Sequence, residues 1–172
     1  EKLDVFIEKL MDMNLINDGC IAEDMTQFES IWKLREGVNP AMTEAGKGCY
    51  KYDISLPLKN LYDIVNECNT KLSSSGYPNL EIMGYGHLGD GNIHVNIAVD
   101  KYDDKLEKSL EPWIFEYVSS LKGSISAEHG IGIMKPQFLH FAKDEKSINY
   151  MKQIKNIFDP NNILNPYIVL PQ

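Results

Sequence analysis

The chain has 172 residues, 43% of them hydrophobic, enough to bury one full core, so a single domain is expected. A formal net charge of −8, from 25 acidic and 17 basic residues, excludes a basic phosphate-tracking surface, and no nucleic-acid partner is expected. No apolar run approaches the roughly 20 residues needed to span a bilayer, and no membrane span is expected. The first predicted element is a helix over 1–13, with Leu3, Phe6, Ile7, Leu10 and Met11 at helical spacing; it reads as amphipathic rather than as a secretory signal. A second helix is predicted over 24–36 and should stop at Gly37 and Pro40. Residues 49–58 alternate like a strand ended by Pro57, and 59–72 return to helical period, closed by Ser73-Ser74-Ser75-Gly76. Two strands follow at 80–87 and 92–99 around Gly89-Asp90-Gly91, then a helix over 104–121 and a short strand over 123–127. A last helix over 143–158 ends at Asp159-Pro160, and the tail, 161–172, reads as an extended strap.

Strand, helix, strand, strand, helix, strand is the βαββαβ order of a ferredoxin-like α+β fold. It predicts an antiparallel sheet with helices on one face and extra flanking helices at both ends. Cys20, Cys49 and Cys68 show no C-x-x-C spacing and read as small, buried or half-buried side chains of a reducing compartment. The chain opens on Glu1 without an initiator methionine, so it reads as a piece or processed product of a longer protein.

The stretch EIMGYGHLGDGNIHVNIAV, 81–99, contains a G-x-G-x-x-G match. A phosphate-binding glycine loop needs a helix N-terminus after it to supply free N–H groups, and here the glycines lead into period-two alternation. The hairpin reading is preferred. A two-residue turn at Asp90-Gly91 would place His87 directly opposite His94, close enough for both rings to reach one ion. Tyr85 and Asn96 would share their face, with Ile82, Leu88, Ile93, Val95, Ile97 and Val99 on the other; a bulge at Gly84 or Gly86 would shift that register by one. A third group comes from SISAEHGIG: Glu128 at the end of the last strand would complete a two-histidine, one-carboxylate set, leaving His129 as a base. Zinc suits such a set, with Mn, Fe(II) and Co as rivals. The alternative is that these are hydrogen-bonded structural groups; His140 reads as structural.

The motifs IWKLRE, YKYDISLPL, GHLGDGNIH, AEHGIG and FDPNNILNP occur together and in order, from about residue 22 onward. Together they resemble the carboxy-terminal domain of flavin-linked 2-hydroxyacid dehydrogenases of the vanillyl-alcohol-oxidase superfamily, closest to those acting on D-2-hydroxyglutarate, with the D-lactate enzymes next. The resemblance implies that FAD is bound mainly by a separate amino-terminal domain of the same protein. It also implies a small 2-hydroxy acid substrate, an electron acceptor the motifs do not identify, and a mitochondrial matrix location, with the cytoplasm as alternative. His87, His94 and Glu128 match its metal ligands and His129 its base. Arg35, Lys51 and Asn96 match substrate-binding groups, and Asn165 a position near the flavin. Gly37-Val38-Asn39-Pro40 departs from the hydroxyl-bearing pattern of some members. Read bare, Arg35 pairs with Glu36 or a nearby acid on a solvated helix, and Lys51 lies on a sheet edge. A metal-assisted hydrolase and a non-catalytic ferredoxin-like binding module are the rival classes.

Overall fold

A computed structural model describes residues 2–73, 76–77 and 79–171. Glu1, at the start of the first predicted helix, and Ser74 and Ser75, in the serine run expected to close the third, lie outside the described residues. The chain divides into two compact units, Glu1–Pro40 and Ala41–Gln172. The first contains helix α1, Lys2–Asp12, and most of helix α2, Met25–Ala45. Contrary to expectation, α2 does not stop at Gly37 or Pro40. A proline inside a helix removes one N–H donor, but good helix formers on both sides, including Leu34, Arg35, Ala41 and Met42, continue the backbone through it. Within this unit Trp32 Nε1 donates to Glu36 Oε1 at 3.0 Å, and the rings of Phe28 and Trp32 stack at 6.3 Å. No residue of α1 is buried.

The second unit is built on strands β1, Gly48–Ser55, β2, Glu81–His87, and β3, Asn92–Val99, in antiparallel order β1-β3-β2. Alternation puts Tyr50, Tyr52 and Ile54 of β1 and Ile93, Val95, Ile97 and Val99 of β3 on one face, all buried. Helix α3, Asp63–Ser73, packs on this face by β2 through Ile64, Val65, Cys68 and Leu72. Helix α4, Asp104–Ser120, packs by β1 through Leu106, Leu110, Ile114, Phe115 and Val118. Asp103 caps α4 by accepting from Lys105 N, and Tyr50 Oη both donates to its carbonyl and accepts from its N–H. The structure is thus α+β, with the helix-covered antiparallel sheet expected of the ferredoxin-like βαββαβ order built from three of its four strands.

The fourth strand expected over 123–127 is reduced to an isolated bridge between Ser55 and Ser124. It lies beside β1, where a fourth strand of this topology belongs. Beyond it the amides of Glu128 and His129 turn to the Asp53 side chain instead of a ladder partner, which draws the chain off the sheet. A 3-10 turn, Pro136–Phe141, and helix α5, Glu145–Phe158, follow, the latter capped by Asp144. The tail is a series of turns rather than an extended strap: Asn162, Asn165, Tyr167 and Val169 have positive φ, and Val169 N donates to Gly132 O. Among the described residues no helix is long and apolar enough to cross a membrane.

Candidate metal centre

The sheet face away from α3 and α4 carries the polar residues. Register sets them in rows: Tyr85, His94 and Asp53; His87, Asn92 and Ser55; Met83, Asn96 and Lys51. His87 is therefore opposite Asn92, and His94 opposite Tyr85, not the direct His87–His94 pair expected from a two-residue turn. The chain reverses instead through a 3-10 turn, Leu88–Asp90, with Gly91 left-handed at φ 63°. The extra loop residues move the register by two. Because strand side chains alternate with period two, a shift of two leaves every residue on its predicted face. His87 and His94 become diagonal neighbours with ring centroids 5.9 Å apart. Leu88 is the exception: it falls in the turn and is exposed, not on the apolar face. No bulge forms at Gly84 or Gly86, and the β2–β3 ladder is unbroken.

Glu128 reaches between the two imidazoles. Its Oε1 lies 3.5 Å from His87 Nε2 and its Oε2 lies 3.5 Å from His94 Nε2. One ligand atom from each of the three residues falls within a 4.8 Å set. Ligands held at about 2.0–2.2 Å on a tetrahedral ion stand roughly 3.3–3.6 Å from one another; the two histidine–glutamate separations of 3.5 Å fall in that range, the set as a whole, at up to 4.8 Å, would have to draw in, and the nitrogen–oxygen donor set suits a divalent cation such as zinc. Burial lowers the pKa of His94, the carboxylates of Asp53 and Glu128 work against that, and His129 and His87 reinforce it; the net shift is downward. A neutral imidazole is the ligating form.

Asp53 was not singled out from sequence, yet its carboxylate is buried at the centre of this arrangement. It accepts from Asn92 Nδ2 at 2.7 Å, Glu128 N at 2.7 Å and His129 N at 2.9 Å. Burial pushes its pKa up, and the amides of His129 and Glu128 with the Asn92 side chain outweigh that, holding it below the ordinary value. The signal in the sequence was an aspartate inside a strand of buried tyrosines and isoleucine, where aspartate is disfavoured.

His129 stacks on His94 with centroids 6.0 Å apart. It also lines a cavity of about 560 Å³ with Lys51, Asp53, Glu111 and Lys135. Asn96 is buried one row from His94 and donates to Tyr85 Oη at 3.3 Å. Lys51, in the same row, is exposed, and its Nζ donates to Thr43 Oγ1 at 3.2 Å. Arg35 lies on α2 within the first unit, half-buried. Asn165 lines a separate cavity of about 240 Å³ with Lys155, Asp159 and Tyr167. His140 Nδ1 meets Gln137 O at 2.9 Å and its ring packs on Phe141, as a structural histidine should.

Residues 1–169 match the family model described as FAD linked oxidases, C-terminal domain. A mitochondrial D-2-hydroxyglutarate dehydrogenase of Arabidopsis thaliana is 46% identical over 99% of the chain and 30% of its own length. A D-2-hydroxyglutarate–pyruvate transhydrogenase of Saccharomyces cerevisiae is 46% identical over 97% of the chain and 35% of its own length. A mitochondrial protein of Schizosaccharomyces pombe, whose name offers D-lactate dehydrogenase as a provisional activity, is 44% identical over 97% of the chain and 33% of its own length. The chain spans about a third of the length of these relatives. With the family model matched from residue 1 to 169, the chain belongs to the FAD-linked oxidases, as their C-terminal domain.

Proposed function

We propose that this chain is the substrate- and metal-facing part of a flavin-dependent D-2-hydroxyacid dehydrogenase that oxidises D-2-hydroxyglutarate to 2-oxoglutarate. The observation that carries the reading is the convergence of His87, His94 and Glu128 within 4.8 Å, with His129 stacked beside them. A divalent cation held there would supply Lewis-acid polarisation of the substrate hydroxyl, and FAD, held by another domain of the full-length protein, would supply the hydride acceptor. The glycines of 84–91 lead into β3 rather than a helix, so they offer no dinucleotide cradle.

The chain's own groups divide the remaining work. His87, His94 and Glu128 hold the cation. A ring nitrogen of His129 takes the hydroxyl proton as general base. Asn96 orients the head of the substrate, and Lys51, one row along the sheet from His94, meets the distal carboxylate of a dicarboxylic acid. In the first unit Arg35 is the candidate for binding a carboxylate, and in the second Asn165 is the candidate for a contact toward the flavin. The names of the relatives support a mitochondrial location for the full-length protein.

A second reading, oxidation of D-lactate, is favoured by the name of the fission-yeast relative. The test is the full-length protein assayed with both acids, with and without chelator. A His94→Ala variant is expected to lose zinc and turnover together; full activity in metal-free His94→Ala overturns the scheme, and a preference for D-lactate selects the second reading.

A further inference from the structure

Asp53 is 3% exposed and sits mid-strand in β1, directly opposite His94 on β3. A buried carboxylate is expensive unless its oxygens are satisfied, and here each oxygen serves the site. Oδ2 accepts from the backbone N–H of Glu128 at 2.7 Å and of His129 at 2.9 Å. Oδ1 accepts from Asn92 Nδ2 at 2.7 Å and lies 3.7 Å from His94 Nδ1. His94 thus stands between two carboxylates, with Nε2 toward Glu128 at 3.5 Å and Nδ1 toward Asp53.

A neutral imidazole has one N–H, and the acceptor it faces decides which nitrogen carries it. Glu128 Oε2 and Asp53 Oδ1 compete for that proton. Asp53 differs in being buried and locked by three donors, whereas Glu128 is 45% exposed and free to turn toward a cation. We propose that Asp53 is the positioning residue of the metal centre: it holds His94 as the Nδ1–H tautomer, leaving Nε2 open to a cation, and pins the turn that delivers Glu128 and His129. One carboxylate thereby couples three residues drawn from β3 and from the loop after the Ser124 bridge. At 3.7 Å the Nδ1–Oδ1 pair is in ion-pair range rather than a closed hydrogen bond, and a cation on Nε2 would draw it into the carboxylate–histidine–metal arrangement in which an outer partner orients a ligand and raises its basicity. The proposal rests on the metal-centre reading above for its purpose, but its geometry exists without the ion.

The test uses the full-length protein labelled with ¹⁵N-histidine and stripped of metal, with the His94 signals identified by their loss in His94→Gln. The expected wild-type result is a protonated Nδ1 and an unprotonated Nε2, the reverse of the tautomer that predominates for a histidine side chain in water. Asp53→Asn offers one acceptor oxygen to four donors, so it is expected to mix the tautomers and raise the zinc Kd about 10- to 100-fold. A wild-type His94 protonated at Nε2 overturns the proposal. So does an Asp53→Asn variant with a wild-type far-UV spectrum whose zinc Kd is within twofold of wild type. If Asp53→Asn fails to fold, the wild-type tautomer alone decides. If wild-type protein binds no zinc at micromolar concentration, the metal-centre reading fails while the tautomer still decides the role of Asp53.

Discussion

Three of the four glycines of the hairpin, Gly86, Gly89 and Gly91, stand in one motif but meet three different surroundings, and alanine at each should report them separately. At Gly86 an added Cβ would lie 2.2 Å from the Asn92 carbonyl oxygen and 2.9 Å from Ile93 Cα, both backbone, so no rotamer relieves the clash. The closing pairs Gly86–Ile93 and His87–Asn92 must part. Losing one or two ladder bonds at about 0.5–1.5 kcal/mol each, and leaving a buried Asn92 group unmatched at about 1–3 kcal/mol, gives roughly 2–4 kcal/mol. Gly91 has φ 63°, where alanine costs about 1–2 kcal/mol. Its Cβ would also stand 2.7 Å from Leu56 O, beside the Leu56 N–H to Gly91 O bond, adding about 1 kcal/mol. Gly89 has open space around it and an ordinary φ, so alanine there should be neutral or stabilise by about 0.4–1 kcal/mol through the unfolded chain. Urea unfolding followed by far-UV circular dichroism, extrapolated linearly, measures all three. Zinc titration should show Gly86→Ala also weakening binding, because His87 moves with the strand end. A Gly86→Ala within 0.5 kcal/mol of wild type, or a Gly89→Ala as damaging as Gly86→Ala, refutes the hairpin reasoning.

His129→Ala in the full-length protein should keep zinc and lower kcat by about 10²–10⁴-fold, and loss of zinc content would show His129 to be a ligand rather than a base. Lys51→Met should raise KM for D-2-hydroxyglutarate while leaving turnover of D-lactate unchanged, since only the former carries a second carboxylate; equal effects on both acids would remove Lys51 from that role. Burial, with the neighbouring charge of Glu107, pushes the Glu111 carboxyl up, and Lys135 offsets part of this. A carboxyl raised by folding opposes stability as pH climbs above the unfolded value of about 4.3, because the folded chain resists losing the proton. Glu111→Gln should therefore raise Tm at pH 7, with the gain shrinking toward pH 4. An unchanged or lowered Tm at pH 7 contradicts the sign.

What could be read from the sequence was whatever depended on period rather than on turn geometry. Ile93, Val95, Ile97 and Val99 alternate with Asn92, His94 and Asn96, and that alone separated the buried face from the polar one. The loop was misjudged because Leu88–Asp90 forms a 3-10 turn, which no local residue preference distinguishes from a two-residue reversal at Asp90-Gly91. The site was insensitive to the error, since a shift of two conserves the face. The helix stop at Pro40 and the fourth strand were misjudged for a different reason. Each local signal lost to a distant or flanking partner, in the second case the Asp53 carboxylate capturing the amides of Glu128 and His129 from 75 and 76 positions away in sequence. Strand pattern cannot reveal such a capture, because the acceptor lies on another strand.

The polar face also shows where the sheet departs from what stability alone would select. Asp53, Asn92 and Asn96 are 3%, 2% and 1% exposed, nearly as buried as the aliphatic residues behind them. Apolar side chains at those positions would fill the space without any demand for hydrogen bonds. The chain instead commits the Asn92 amide and the backbone of Glu128 and His129 to one carboxylate, and leaves Asn92 Oδ1 with no partner among the described residues. An unmatched buried oxygen costs about 1–3 kcal/mol and adds nothing to the fold. Asn92 stands opposite His87 on β2 and two residues before His94 on β3, so the cost falls beside the candidate ligand set. Rigid support behind a ligand set lowers the reorganisation needed when a cation or a developing negative charge arrives. On the proposed reading, the unmatched oxygen belongs to a site held in place before anything binds to it.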